Sequence, residues 1–313
     1  MKAIILEQAG PVENLITKDI ETPSIGANEV LIKTKAIGVN PVDYKVRANE
    51  PFIDMIIGEQ RPVILGWDVA GVITEVGTDV NELKIGDTVF GMVNFLGHGK
   101  AYAEYVSAPA SHLAKIPEGT SFEEAAATTL AALTALQVLE SRVKKGDKVL
   151  IHAGSGGVGH FAVQIAKALG AYVITTSSGK NKEFVLSLGA DEHIDYRTQK
   201  FEEILSDLDF VFDMFNGDIL LNSVKVVKEG GSIVSLPTPE FSDEIANLAN
   251  ERQVNVSFLM VQSNGDDMKT LAGMLKTGRL KPHVSESFAF ENMAAAHEQL
   301  ESGRTVGKVV VTL

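Results

Sequence analysis

KVLIHAGSGGVGHFAVQIAKALGAYVITTSS, residues Lys148 to Ser178, passes from an apolar run through a glycine cluster and a helical pattern into a second apolar run without a gap. Val149 to Ala153 is a buried-strand pattern. Gly154, Gly156 and Gly159 then supply G-x-G-x-x-G, with Ser155, Gly157 and Val158 between them. Phe161, Ile165, Ala168 and Leu169 follow at helical spacing, Gly170 stops the helix, and Tyr172 to Thr176 resumes as strand. This order is one βαβ unit of the dinucleotide-binding kind. One glycine makes the tight turn, one lets the backbone approach a pyrophosphate, and one brings helix against strand. Glycines alone also make ordinary tight turns; the strand before and the helix and strand after give this cluster its meaning. The free N–H groups and positive dipole end of the helix would hold the phosphates.

The second strand bears on which dinucleotide binds. An NAD site usually places Asp or Glu about 20 residues past the glycines, to accept hydrogen bonds from the ribose 2′-hydroxyl. Here that point is Thr176-Ser177-Ser178-Gly179-Lys180-Asn181-Lys182, with no carboxylate before Glu183. A 2′-phosphate is repelled by an acid and stabilised by Lys charge and Ser donors, so the stretch favours NADP(H) over NAD. The competing reading is a solvated turn whose lysines touch nothing.

At 313 residues the chain is too long for one small core and suits two domains. No apolar run nears the roughly 20 residues of a membrane helix, and Met1 to Glu7 meets an acid too soon for a signal peptide. A cytoplasmic location without a membrane partner is expected. The absence of cysteine removes disulfides, thiolate metal ligands and cysteine nucleophiles together. A net charge of −13 argues against nucleic acid as a partner. A dinucleotide needs only a local basic pocket.

Up to about residue 116 the chain is a series of short apolar runs, at 3–6, 29–36, 70–76, 88–92 and 103–108, broken by Gly, Pro, Asn and Asp clusters. That spacing predicts a mostly antiparallel β domain. From Ser121 the period changes. Ser121 with Glu124 makes a capping box, and a helix is expected to continue across 125–138. Strands at 148–153, 172–176, 192–195, 210–214, 232–236 and 254–260 then alternate with helices, which predicts a doubly wound parallel sheet. A helix at 291–302 and a strand at 307–313 follow, and the strand is expected to return to the β domain. The fold class is therefore α/β. A Rossmann-type doubly wound parallel sheet occupies 117–282, and a discontinuous, mostly antiparallel β domain occupies 1–116 and 283–313. The segment 48–61, apolar but poorly patterned for a sheet, is expected to line or cover the substrate end of the cleft between the domains. The run 254–261, as the last strand of the parallel sheet, would leave an unpaired edge, and pairing it with its copy makes a two-fold homodimer.

The motifs AIGVNPVD at 36–43, ILGWDVAG at 64–71, AGSGGVG at 153–159, SLGAD at 187–191 and GKVV at 307–310 resemble the medium-chain dehydrogenase/reductase superfamily over nearly the whole chain. Zinc-dependent alcohol dehydrogenases of that superfamily carry a ligand Cys near the first motif and a ligand His after the Gly of the second. This chain has Asn40 and Trp67 there, and no cysteine-rich lobe for a structural zinc. It is similar to the zinc-free quinone oxidoreductase (zeta-crystallin-like) branch, whose β domain is GroES-like. Asn and Trp cannot supply a tight zinc site, so no metal is expected. Without a metal Lewis acid, quinones and α,β-unsaturated carbonyls are favoured over simple alcohols, because their reduced anions delocalise their own charge. The resemblance implies hydride transfer from NADPH to a small apolar quinone or enone.

Site residues follow from the same resemblance. Asn40 would face the nicotinamide or the substrate carbonyl, or else make an Asx-turn before Pro41. Tyr44 would deliver a proton, or else form an aromatic wall of the pocket. Thr134 would sit near the nicotinamide end, and Ser177, Ser178, Lys180, Lys182 and Tyr196 around the adenosine 2′-phosphate. Phe215-Asn216 and Leu236-Pro237 follow sheet strands at the edge where such folds bind ligands. Phe258 and Met260 would contact the nicotinamide face or belong to the core. Lys308 would reach a phosphate or stand at the surface beside an acid. Two further signals are discounted. Tyr196 and Lys200 match the Tyr-x-x-x-Lys pair of short-chain dehydrogenases but follow the wrong strand, and His98 between two glycines is a loop residue rather than a general acid. The rival functions are an enoyl-thioester or alkenal reductase and a catalytically idle NADPH-binding sensor or structural protein.

Overall fold

The structure, a computed structural model, describes residues 1–313. Eight strands come first: β1 (Lys2–Leu6), β2 (Leu15–Asp19), β3 (Glu29–Val39), β4 (Val63–Ile64), β5 (Asp68–Val76), β6 (Thr88–Met92), β7 (Tyr105–Pro109) and β8 (Ala114–Lys115). Between β3 and β4 the chain forms α1 (Pro41–Ala48) and α2 (Glu50–Ile56), so the segment that fits no sheet pattern is helical. Helices α3 (Phe122–Ala127) and α4 (Leu130–Leu139) lead to the alternating part. That part runs β9 (Lys148–Ile151), α5 (Gly159–Ala168), β10 (Tyr172–Ser177), α6 (Lys182–Ser187), β11 (Glu192–Asp195), α7 (Phe201–Ile204) and β12 (Leu208–Asp213). It continues through α8 (Gly217–Val226), β13 (Val227–Ser235), α9 (Asp243–Glu251) and β14 (Asn255–Phe258). The chain closes with α10 (Gly265–Lys276), β15 (Val284–Ala289), α11 (Met293–Glu301) and β16 (Lys308–Thr312).

The chain divides into two compact units, Met1–Leu133 with Val261–Leu313, and Thr134–Met260. These points differ from the sequence boundaries at 116/117 and 282/283, because α3 and α10 pack with the β strands of the first unit. In the first unit a sheet runs β15-β16-β3-β5-β6-β8, with β7 also on β3, and a smaller sheet runs β2-β1-β4. All pairings are antiparallel except β15 with β16. Val30, Ile32, Val69, Ile73, Val89 and Val106 fill its core. Strand β16 pairs Val309 with Val39 and Val311 with Ile37, so the late strand does return to the β sheet.

The helix expected across 125–138 is two helices. The Ser121 and Glu124 capping box is present, each side chain accepting from the other's backbone N–H, at 3.1 and 3.0 Å. The Thr128 and Thr129 hydroxyls then donate to the Glu124 and Ala126 carbonyls, both at 2.7 Å, and compete with the helical ladder. Leu130 restarts the helix with its N–H on an Asp68 carboxylate oxygen at 2.9 Å.

In the second unit all strands are parallel, in the order β11-β10-β9-β12-β13-β14. The order reverses between β9 and β12, the switch point at which doubly wound sheets bind ligands. Leu150, Ile174, Val211 and Ile233 from four adjacent strands pack with Leu220, Val224 and Ile245 of the helices.

Candidate functional site

Because these strands are parallel, the loops after β9, β10, β12, β13 and β14 share one edge of the sheet. The glycine turn follows β9. A Cβ on Gly154 would run into the Thr175 hydroxyl, and one on Gly159 into the Ala153 carbonyl, so these two glycines are demanded by the protein's own packing. A Cβ on Gly156 would press only lightly on Ala153, 3.2 Å from its carbonyl oxygen and 3.9 Å from its Cβ. Its glycine leaves backbone open to a ligand, as a pyrophosphate requires, and a dinucleotide fits the cradle. Ser155, Gly157 and Val158 complete the turn, half-buried, and Ala153 holds a positive φ of 51° at its start.

Beneath the turn lies a satisfied polar chain. The Ser223 hydroxyl donates to the Ile219 carbonyl, so it accepts from His152 Nε2, at 3.0 Å; His152 Nδ1 then accepts from Thr176 Oγ1, at 3.1 Å. Burial pushes the His152 pKa down to about 4, so the ring is neutral.

The turn after β10 meets the glycine turn through Asn181, whose Nδ2 donates to Ser155 Oγ at 2.9 Å. Ser177 and Ser178 are buried, and Ser177 Oγ is 2.9 Å from His193 Nε2. Lys180 and Lys182 are exposed. Tyr196 is exposed, with the Arg197 guanidinium 5.8 Å from its ring centroid. Sequence reasoning missed Asn181 and Arg197, although both lie inside stretches it quoted. It also missed Asp195. A Cβ on Gly179 would meet the Asp195 carboxylate, which brings from the neighbouring strand an acid that the first stretch lacks.

After β12, the N–H groups of Phe215 and Asn216 donate to the Asp213 carboxylate at 3.2 and 2.9 Å, and Ser235 Oγ donates to it at 2.7 Å. Phe215 is half exposed, and Asn216 has φ 64° and ψ −168°, a region that side chains rarely occupy. Leu236, its N–H on the Asp213 carbonyl at 3.1 Å, and Pro237 follow β13. Phe258 is half-buried at the end of β14 and Met260 is 40 % exposed, so neither is core. Thr134 lies buried on α4 in the same unit.

The first unit holds Asn40, Tyr44 and Lys308. Lys308 is 3 % exposed, which corrects the expectation of a surface lysine, although an acid does stand beside it. The first position of β16 turns it inward, where Nζ donates to the Val39 carbonyl at 3.1 Å and to Asn40 Oδ1, with Asp68 Oδ2 at 3.8 Å. Asn40 Nδ2 donates to Asp68 Oδ2 at 2.7 Å, so its carboxamide lies between a buried cation and a buried anion. Burial raises the Asp68 pKa against the pull of Lys308, and lowers that of Lys308 against the pull of Asp68. Trp67 is fully buried with Nε1 on the Gly97 carbonyl at 2.9 Å, a core indole. Tyr44 is half-buried on α1, its pKa raised by burial and then by Glu301, and its hydroxyl has no protein partner.

One turn from Asn40, a directed chain of hydrogen bonds crosses the core. Arg47 can only donate, so His297 Nδ1 accepts from it at 3.4 Å. His297 Nε2 then donates to the Tyr102 oxygen at 2.8 Å, and the Tyr102 O–H donates to Asp43 Oδ2 at 2.9 Å. Arg47 is anchored by Glu301 at 2.6 Å. Of these four, sequence reasoning quoted only Asp43, as the end of the 36–43 motif and without a role; no local pattern joins α1, α11 and residue 102.

Residues 26–118 match the alcohol dehydrogenase GroES-like domain family, and residues 188–311 a family described as zinc-binding dehydrogenase. The chain is 36 % identical to a 2-methylene-furan-3-one reductase of Solanum lycopersicum, over 99 % of this chain and 79 % of that protein. It is 34 % identical to an NADPH-dependent alkenal/one oxidoreductase, chloroplastic, of Arabidopsis thaliana, with the same coverage. Among solved structures it is similar to the quinone oxidoreductase from Coxiella burnetii, at a TM-score of 0.93 and 39 % identity over 100 % of this chain and 99 % of that one. A GroES-like β sheet, a parallel sheet with its glycine turn at the switch point, and relatives of this identity along almost the full length lead to one conclusion: the chain belongs to the medium-chain dehydrogenase/reductase superfamily, within its quinone oxidoreductase family.

Proposed function

We propose that this protein is an NADPH-dependent, zinc-independent reductase of small apolar quinones and α,β-unsaturated carbonyls. The coarser part, an NAD(P)H-dependent oxidoreductase of the quinone and alkenal reductase type, follows from the relatives. The preference for NADPH is carried by the turn after β10, where Ser177, Ser178, Lys180 and Lys182 stand beside the glycine turn that Asn181 reaches. Asn40 and Trp67, where zinc-dependent members have metal ligands, have their polar groups engaged by Asp68, Lys308 and Gly97, which supports a reaction without zinc. The unit Thr134–Met260 serves as the cofactor domain, and Met1–Leu133 with Val261–Leu313 as the substrate domain.

In this reading the backbone N–H groups of 157–159, at the start of α5, bind the pyrophosphate, and the serines and lysines of 177–182 with Tyr196 bind the 2′-phosphate. Thr134, Phe215, Asn216, Leu236, Pro237, Phe258 and Met260 position the nicotinamide portion. NADPH, when bound, supplies the hydride that the conjugated acceptor receives. Asn40 donates an amide N–H to the acceptor's carbonyl oxygen as negative charge develops there. Tyr44, with a hydroxyl that no protein group occupies, delivers the proton. No helix is long and apolar enough to cross a membrane; we place the protein in the cytoplasm, as a homodimer.

The test is oxidation of NADPH, with NADH alongside, in the presence of an ortho-quinone, a para-quinone, a 2-alkenal and an enoyl thioester. Turnover of the quinones or the alkenal with NADPH preferred is expected, and Tyr44→Phe should lower it roughly a hundredfold. Turnover of the thioester alone would make the protein an enoyl-thioester reductase. NADPH binding with no turnover at all would make it a sensor.

A further inference from the structure

We infer that Lys308 and Asp68 are positioning residues that lock the carboxamide of Asn40 in one orientation, leaving its second N–H as the donor to the acceptor's carbonyl oxygen. The inference rests on the proposed function for the role of that N–H, and on the geometry of the first unit for the lock.

An Asn side chain has nearly the same shape after its oxygen and nitrogen exchange places, so packing alone does not choose between the two. Charge does. An ammonium group only donates and a carboxylate only accepts. Asn40 Oδ1 therefore belongs on Lys308 Nζ and Nδ2 on Asp68 Oδ2, as found. Exchanging the two would set donor against donor and acceptor against acceptor. The three residues are at most 3 % exposed, so the exchange would leave mismatched polar groups buried, at a cost in free energy.

The pair is not built as an ion pair for its own sake. Lys308 Nζ and Asp68 Oδ2 are 3.8 Å apart, with the Asn40 carboxamide bonded to both. A buried ion pair is often replaceable by apolar residues without loss of stability, so its presence calls for another reason. Here the reason is direction. The same two groups fix the segments around Asn40, since Lys308 also holds the Val39 carbonyl and Asp68 also takes the Leu130 N–H that starts α4. Donation from an ammonium group into Asn40 Oδ1 further polarises the amide and strengthens its remaining N–H as a donor.

The test compares Lys308→Met, Asn40→Ala and the double variant in steady-state turnover, with NADPH binding and the Asn40 side-chain amide NMR signals as companions. Lys308→Met should lower kcat by roughly ten- to a hundredfold and leave the NADPH Kd within about threefold. It should cost little more when Asn40 is already Ala. Unchanged kcat, or a full additional loss on the Asn40→Ala background, would overturn the inference. The Asn40 Nδ2 proton held by Asp68 should exchange slowly with solvent in the unsubstituted protein and clearly faster in Lys308→Met; an exchange rate unaltered by the substitution would equally overturn it. If Lys308→Met does not fold, Asp68→Asn carries the same measurements, since it removes the charge and keeps the shape. If the unsubstituted protein turned over no acceptor, the proposed function would fall, and the NMR signals would still decide whether Asn40 is locked.

Discussion

Asp43 has one carboxylate oxygen that accepts from both the Asn40 N–H and the Tyr102 hydroxyl, and another, equally buried, that accepts from nothing. Burial, helped by Asp68, raises its pKa from 3.8 to about 7. Between those values the folded protein keeps a proton that the unfolded chain has lost, so Asp43's contribution to stability is full below 3.8 and is lost as the pH rises to about 7. His297 has the opposite sign. Burial and Arg47 depress it from 6.5 to about 3, so its contribution is present above 6.5 and is lost as the pH falls towards 3. Asp43→Asn should therefore make stability climb more steeply from acid to neutral pH than in the unsubstituted protein. Urea midpoints across that range check this, and parallel profiles would refute it. The glycine turn at 154–159 was legible because its motif sits between a strand pattern and a helix pattern, all within one short stretch. Lys308 was not, because its partner Asn40 lies 268 residues away and no local rule predicts such a meeting.

At the scale of elements, the glycine turn separates two demands that look alike in the motif. Gly159→Ala puts a methyl group into the Ala153 carbonyl and should lower thermal stability, whatever it does to binding. Gly156→Ala meets one atom at 3.2 Å and should fold with little loss, yet bind NADPH at least about tenfold more weakly. Thermal unfolding and NADPH titration on the two variants distinguish them; equal losses of stability would contradict the assignment. The βαβ unit was readable because its periods are local. The break between α3 and α4 was not, since it depends on Asp68 arriving from β5 to take the Leu130 N–H. Strands β2 and β15 were missed for a related reason. Both lie at sheet edges with mostly exposed residues, so neither shows the apolar alternation by which strands are recognised.

At the scale of the molecule, β14 is the terminal strand of the parallel sheet and offers its outer edge unpaired. Pairing that edge with a second copy underlies the proposed homodimer, so sedimentation should give twice the 33.6 kDa of one chain. A single-chain mass at micromolar concentration would remove the dimer from the proposal. The architecture was largely legible, since the switch from short apolar runs to alternating strands and helices, and back, follows the two sheets. The division points were not, because α3 and α10 look like members of the alternating series and pack with the other unit. Strand β16 lies between β15 and β3 in the first unit's sheet, and the ribosome makes it only after the whole second unit. During synthesis the second unit has all its strands while β3 still waits with a bare edge over residues 36–39. The first unit's sheet is thus completed last, and the strand that completes it also brings Lys308, the side chain that orients Asn40.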